Sequence, residues 1–223
     1  MLEFPNESEE YRKARNELLK AETRLRAEIE KVAKLRRDLP TGGLVNEDYV
    51  FERLDDAGDT ERVRLSEMFE DGKQSLLVYN YMFGPEMPSS CPLCTAFLDS
   101  ISGHIDHIRQ RMNLAIVARS PITRIMEFAR TRNWGALPLY SSAGNSYNRD
   151  YKGEDENGGQ WPMANVFVKE GAQVRHFWGS EMVAAELMGD ADPRHVDLIW
   201  PLWNFFDLTP EGRGEGWYPS LHY

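Results

Sequence analysis

The stretch Ser75-Leu76-Leu77-Val78-Tyr79-Asn80-Tyr81-Met82 narrows the choice of fold more than any other part of the chain. It is almost continuously apolar, with β-branched and aromatic side chains, the character of a central strand covered on both faces. Its end runs through Phe83-Gly84-Pro85-Glu86-Met87-Pro88-Ser89-Ser90 into Cys91-Pro92-Leu93-Cys94, which holds both cysteines of the chain. From there Cys94, Leu98, Ile101, Ile105, Ile108 and Met112 recur at spacings of 4, 3, 4, 3 and 4. Residues 92 to 112 therefore read as a helix whose core-facing stripe begins at the second thiol. Leu114 to Ala118 is a second short buried strand, and Ser120 caps a helix with Pro121 at its first position, running to about Trp134. This β-α-β-α order predicts a parallel sheet with right-handed crossovers.

The flanks add further elements. Tyr49-Val50-Phe51-Glu52 reads as a short strand, Arg64 to Glu70 as a short helix stopped by Asp71-Gly72, and Leu137 to Tyr140 as another strand. Ser141 to Gln160 has almost no aliphatic residues and reads as a long polar loop: mobile surface, or else a lid or partner contact. Asn165 to Val168 and Gln173 to Trp178, joined by Lys169-Glu170-Gly171-Ala172, form a hairpin. Asp192-Pro193 opens a helix carrying Val196, Ile199 and Trp200. At the other end, residues 7 to 39 carry apolar positions at Tyr11, Ala14, Leu18, Ala21, Leu25, Val32, Leu35 and Leu39, with Glu28 the one break. That spacing predicts an amphipathic helix, capped by Asn6 and ended by Pro40-Thr41-Gly42-Gly43, about 48 Å long at the α-helical rise. Two domains are expected, a helical arm (1–43) and an α/β domain (44–223). The arm either packs on its own domain or lies against a second copy as a homodimer.

Charge and composition limit the partners. A formal net charge of −10 repels phosphate backbones and anionic bilayers, so neither nucleic acid nor a membrane is an expected partner. The start MLEFPNESEEYRK lacks the basic and apolar regions of a signal peptide, and no run approaches the roughly 20 apolar residues of a membrane span. The chain reads as soluble and cytoplasmic. In a reducing cytosol a structural disulfide closing so short a loop contributes little. Zinc fares no better: in C-x2-C-x9-H-x2-H, one continuous helix would carry His104 about 15 Å from Cys94. No metal and no cofactor is expected; His176, His195 and His222 are isolated in sequence.

Redox chemistry suits the pair better. Cys91 falls beside the helix N-cap, where free backbone N–H groups and the positive end of the dipole favour a thiolate. Cys94 falls on the buried stripe. Cys91 is thus placed to attack a protein or small-molecule disulfide, and Cys94 to resolve the mixed disulfide. Trp161-Pro162 stands just before the first hairpin strand. In a thioredoxin-like topology that position faces the dithiol, commonly carries a cis-proline and touches substrate; an ordinary loop proline is the alternative. Arg119 is a candidate for the rim. The aromatic-rich end (Trp200, Trp203, Phe205, Phe206, Trp217, Tyr218, Tyr223) reads as core or subunit contact, with a ligand pocket as the alternative.

Tyr49-Val50-Phe51-Glu52, Leu76 to Glu86, Cys91-Pro92-Leu93-Cys94, Ser141-Ser142-Ala143-Gly144-Asn145, Asp207-Leu208-Thr209-Pro210 and Gly212-Arg213-Gly214 together resemble a bacterial thioredoxin-like family of unknown function (DUF899-like). The resemblance spans almost the whole chain. It implies a thioredoxin-like fold of the peroxiredoxin-like variant, a central mixed sheet flanked by helices, and no established substrate. Proline comes first between the cysteines, as in the CPYC of glutaredoxins. Peroxiredoxins carry PxxxTxxC, and here Pro88 stands where their threonine would be. That departure favours disulfide exchange over thiol peroxidase chemistry. A non-enzymatic binding or scaffold protein is the rival from another class.

Overall fold

The computed structural model describes the chain apart from residues 1, 71, 182–183, 185–198, 213–217 and 222–223. The helix expected from Asp192-Pro193 through Val196, together with His195, Trp217, His222 and Tyr223, lies outside the described residues. The chain forms two compact units, residues 1–40 and 41–223.

The first unit is the helix α1, Glu9–Arg37. Its N-cap is Ser8, two residues past the expected Asn6: the Ser8 hydroxyl accepts the Tyr11 N–H at 3.1 Å, while Asn6 sits at a left-handed φ of 61° in the preceding turn. Glu9 and Glu10 in the first turn and Lys34, Arg36 and Arg37 in the last complement the helix dipole. None of its residues is buried.

The second unit opens with a clamp. Gly42 donates its N–H to the His176 carbonyl at 3.0 Å, and His176 returns its N–H to Gly43 at 3.0 Å. A side chain at 42 would place its Cβ 2.6 Å from that carbonyl oxygen, so this close approach needs glycine. Beyond it lies a seven-stranded sheet in the order β2-β1-β5-β4-β3-β6-β7. The strands are β1 (Val50–Leu54), β2 (Thr60–Arg64), β3 (Ser75–Asn80), β4 (Asn113–Ala118), β5 (Leu139–Ser141), β6 (Met163–Glu170) and β7 (Gln173–Gly179). β3, β4 and β5 run parallel; β6 pairs antiparallel with β3, β7 with β6, β1 with β5 and β2 with β1. This is a thioredoxin-like α/β fold: a parallel centre, a C-terminal antiparallel hairpin, and an added β1-β2 ribbon.

Period-two alternation divides the core. Leu114, Ile116 and Ala118 of β4 face one cluster with Tyr79, Phe97, Leu98, Ile122 and Ile125; Ala115 and Val117 face the other with Phe51, Leu65, Val78 and Phe167. The first face is covered by α2 (Pro92–Ser102), α3 (Ile105–Arg109) and α4 (Ile122–Thr131). The single helix expected over 92–112 is thus two, interrupted at Gly103-His104, where His104 N–H turns back to Ile101 O at 2.8 Å. The stripe survives the break: Cys94, Leu98, Ile101 and Ile105 are all buried. α4 starts one residue later than read, with Pro121 as its N-cap.

Two other expectations change. β2 was not anticipated, because in Thr60-Glu61-Arg62-Val63-Arg64 only Val63 is buried, too little to make a periodic pattern. The stretch 141–160 is not simply surface. It contains the short helix α5 (Tyr147–Asp150), and Ser141, Ser142, Tyr147 and Asn148 are buried. Polar side chains do the anchoring: Asn145 Nδ2 donates to Val50 O at 2.7 Å, Ser142 Oγ to Asn148 Oδ1 at 2.6 Å, and Tyr49 OH to Asp150 at 2.7 Å.

A buried asparagine fixes where β4 enters. Asn113 Oδ1 accepts the Glu70 N–H at 3.0 Å and its Nδ2 donates to Ser75 O at 3.1 Å, tying β4 to the start of β3. Asn113→Ala removes the acceptor of the Glu70 N–H and the side-chain donor to Ser75 O. We expect it to lower the unfolding free energy by about 2 kcal/mol, measured by urea denaturation; an unchanged midpoint would remove the clamp from the account.

Candidate active site

The β3 ladders end at Asn80, opposite Met163 on one side and Val117 on the other, with Tyr81 N–H still donating to Val117 O at 3.0 Å. The chain then leaves the sheet through the loop Tyr81 to Ser90, which is held from the helix side. Arg124 of α4 donates from Nη1 to Gly84 O at 3.0 Å and Pro85 O at 3.1 Å, and from Nη2 to Met87 O. The same guanidinium lies 4.3 Å over the Phe83 ring. Ser120 N–H adds a bond to Phe83 O at 2.9 Å. Cys91 closes the loop by donating its N–H to Met82 O at 3.0 Å.

Cys91 is the N-cap of α2 and Pro92 its first residue. The Cys91 carbonyl accepts from both the backbone N–H and the hydroxyl of Thr95, each at 2.9 Å, and Thr95 Oγ1 is 2.9 Å from Ser90 Oγ. Both thiols are free, at 7% (Cys91) and 2% (Cys94) exposure. The hydroxyl of Tyr218, a residue that is 55% exposed, stands 3.7 Å from Cys91 Sγ. The segment bearing it is anchored to the same helix through Arg132, whose Nη1 donates to Leu221 O at 3.1 Å while its Nη2 pairs with Asp99 of α2.

The two sulfurs are electrostatically unequal. The Cys91 thiol is brought down to about 6, chiefly by a hydrogen bond from the Cys94 thiol, against the opposing effect of burial; the Cys94 backbone N–H, the Tyr218 hydroxyl and the Leu93 N–H add to the lowering. Cys94 is pushed well up, first because its proton serves Cys91 and then because it is buried. Tyr79, on the β3 face that packs on α2, lies in the cluster that holds Cys94, and burial, with the neighbouring Cys94 thiol next, pushes its phenol up so that it remains neutral. Burial and the bond to Cys91 do the same for Tyr218.

Trp161 and Pro162 are the residues expected across from the dithiol. Pro162 precedes Met163, hence lies next to the β3 end that feeds the cysteine loop, but its peptide bond is trans, as is every one among the described residues. Trp161 is largely exposed and donates its N–H to Gly153 O at 3.0 Å. Neither is a hydrogen-bond partner of the thiols. Arg119 is committed to Glu154 at 2.8 Å and to Ser142 O at 2.8 Å, beside a cleft of about 590 Å³ that also includes Gly84, Glu86 and Gln160. Sequence motifs alone tie neither Tyr79 nor Tyr218 to the dithiol. Tyr79 could have been found from strand alternation, since it and Tyr81 share the face on which Cys94 packs. Nothing in sequence links Tyr218 to a cysteine 127 residues away. Among the described residues, no group of three or more His, Cys, Asp or Glu side chains could hold a metal ion.

Comparison with known proteins gives a family and a set of distant structural likenesses. The family profile described as "Bacterial protein of unknown function (DUF899)" matches residues 1–223. No curated protein matches the chain. Among solved structures, Enterococcus faecalis AhpC is similar at a TM-score of 0.49 and 14% identity, covering 76% of this chain and 95% of that one. Plasmodium yoelii thioredoxin peroxidase I gives 0.47 and 18%, with 73% and 88% covered. Peroxidoxin BcpB from Mycobacterium tuberculosis gives 0.45 and 16%, with 73% and 94% covered.

The inequality of the thiols has a direct readout. Thiolate absorbance of the reduced protein should rise with pH through a single inflection at about 6, belonging to Cys91. Tyr218→Phe, which deletes the hydroxyl donor, should move that inflection upward; a titration with no inflection below 8, the range of an unperturbed thiol at about 8.5, would contradict the assignment.

Proposed function

The chain belongs to the bacterial family of unknown function DUF899, and on that premise we propose that this member is a thiol-disulfide oxidoreductase. The observation that carries the reading is the unequal pair: an N-cap thiol lowered to about 6, hydrogen-bonded to a deeply buried thiol that is pushed up. The Cys91 thiolate attacks one sulfur of a substrate disulfide, forming a mixed disulfide and expelling the other half as a thiolate. Cys94 gives its proton to the thiolate expelled in the first step, or to solvent, and its sulfur attacks Cys91 Sγ, forming the Cys91–Cys94 bond and releasing the second half as a thiolate. The substrate gains two electrons, and a dithiol reductant must return them to the protein. The N-terminal end of α2 stabilises the attacking thiolate. The Tyr218 hydroxyl, 3.7 Å from Cys91 Sγ, stabilises it further as a hydrogen-bond donor. Trp161 and Pro162, next to the loop, are kept as the substrate-facing edge of this proposal, and the setting as soluble and cytoplasmic.

A second reading, thiol peroxidase, draws support from the small opening: Cys91 is 7% exposed, and a peroxide needs less room than a protein disulfide. Against it, Pro88 is exposed and carries no hydroxyl, while the nearby Ser90 hydroxyl is bonded to that of Thr95, which donates to the Cys91 carbonyl.

Cys94→Ser should accumulate a stoichiometric mixed disulfide at Cys91 when incubated with a small aromatic disulfide, detected by intact-protein mass spectrometry. Cys91→Ser should form none. The wild type should turn over with a dithiol reductant and lose activity by at least about a thousandfold in Cys91→Ser. If hydrogen peroxide consumes reduced protein rapidly while disulfides leave it untouched, the peroxidase reading takes its place.

A further inference from the structure

The apolar seam of α1 keeps a stricter register than an ordinary amphipathic stripe. Tyr11, Leu18, Leu25, Val32 and Leu39 stand seven residues apart, and Ala14, Ala21, Glu28 and Leu35 lie three positions after the first four. These are the a and d positions of a coiled coil. Leu18 is 52% and Leu25 62% exposed, so the seam offers apolar surface along its length. We propose that α1 pairs with the α1 of a second copy of this chain, antiparallel, about a two-fold axis between Leu19 and Lys20.

Side-chain size selects the direction. In a parallel pair, a residues face a and d face d. Ala14 and Ala21 would then each meet their own copy in thin, underfilled layers, and two Glu28 carboxylates would meet inside the seam. In an antiparallel pair every a faces a d. With this axis Leu18 meets the partner's Ala21 and Leu25 meets the partner's Ala14, so the four central aliphatic layers each join a large residue to a small one, while Val32 and Leu35 fall opposite the partner's Glu7 and the partner's Phe4, ahead of its α1. The same alignment sets Tyr11 against the partner's Glu28. The one polar interruption of the stripe thereby meets the one seam residue with a hydroxyl to donate.

Charge selects the register. Glu10, Glu17, Arg24 and Lys31 precede the a positions, and Arg15 and Glu22 follow the d positions. In the proposed alignment Glu10 faces the partner's Lys31, Glu17 the partner's Arg24, and Arg15 the partner's Glu22. Symmetry doubles each, giving opposite signs throughout. Sliding by seven residues one way sets Arg24 on the partner's Arg24 and Glu22 on the partner's Glu22; the other way sets Glu17 on the partner's Glu17 and Arg15 on the partner's Arg15. The parallel pair brings Glu17 to the partner's Glu22 and Lys31 to the partner's Arg36. Within one helix Arg15 Nη1 already reaches Glu22 Oε2 at 2.9 Å along the seam edge, so exchanging to the partner's carboxylate preserves the sign of every contact.

Sedimentation equilibrium of the full chain at micromolar concentration tests this independently of any thiol chemistry. The wild type should be dimeric, and Leu18→Glu with Leu25→Glu should be monomeric with unchanged circular dichroism. Glu17→Arg converts two attractive pairs to repulsive ones and should weaken association about tenfold; Glu17→Arg with Arg24→Glu should restore it. A chain monomeric throughout, or a dimer indifferent to the double leucine change, overturns the interface. A dimer unaffected or strengthened by Glu17→Arg overturns the alignment, because in the parallel pair the new cation would face the partner's Glu22.

Discussion

Everything about the candidate site follows from where β3 is allowed to end. The strand is bonded on both edges, parallel to β4 and antiparallel to β6, so its backbone polar groups are satisfied only while both neighbours last. Beyond Asn80 the ladder with β6 is over, and the chain must satisfy its amides and carbonyls elsewhere. Arg124 supplies donors to three of the carbonyls in that loop, and Met82 takes the N–H of Cys91. The first thiol is therefore located by backbone bookkeeping at the rim of the sheet, before any property of sulfur matters.

From that fixed point, helix geometry makes the two cysteines unlike. A spacing of three carries the chain from the cap to the inner face of α2, so one sulfur meets free N–H groups and the other meets Tyr79 and the core. Hydrogen bonding then amplifies the difference. One proton shared between two sulfurs belongs to the buried one, which leaves the outer sulfur as the acceptor of every nearby donor. Proximity alone would have produced two similar thiols; the strand end and the helix start make them different.

The parts of this arrangement that arise from local periodicity were legible in the sequence. β3, β4 and the hairpin β6-β7 announce themselves as apolar runs with turn residues between them, and the stripe from Cys94 to Ile105 holds even though the helix carrying it breaks at Gly103. What escaped was held by polar or distant contacts. α5 is fixed by Asn, Ser and Tyr hydrogen bonds that leave no hydrophobic period, and β2 buries one side chain of five. Tyr218 is the clearest case: its aromatic surroundings suggested core or subunit contact, and only the folded chain brings its hydroxyl to a sulfur.

The anchoring of Tyr218 gives the C-terminal segment a second significance. Its link to Arg132 and Asp99 is made of groups that do not change with oxidation, whereas its link to Cys91 depends on a sulfur able to accept a hydrogen bond as an anion. Under the proposed chemistry, closing the Cys91–Cys94 bond removes that anion and leaves the phenol with a much poorer acceptor, while the tether at Leu221 persists.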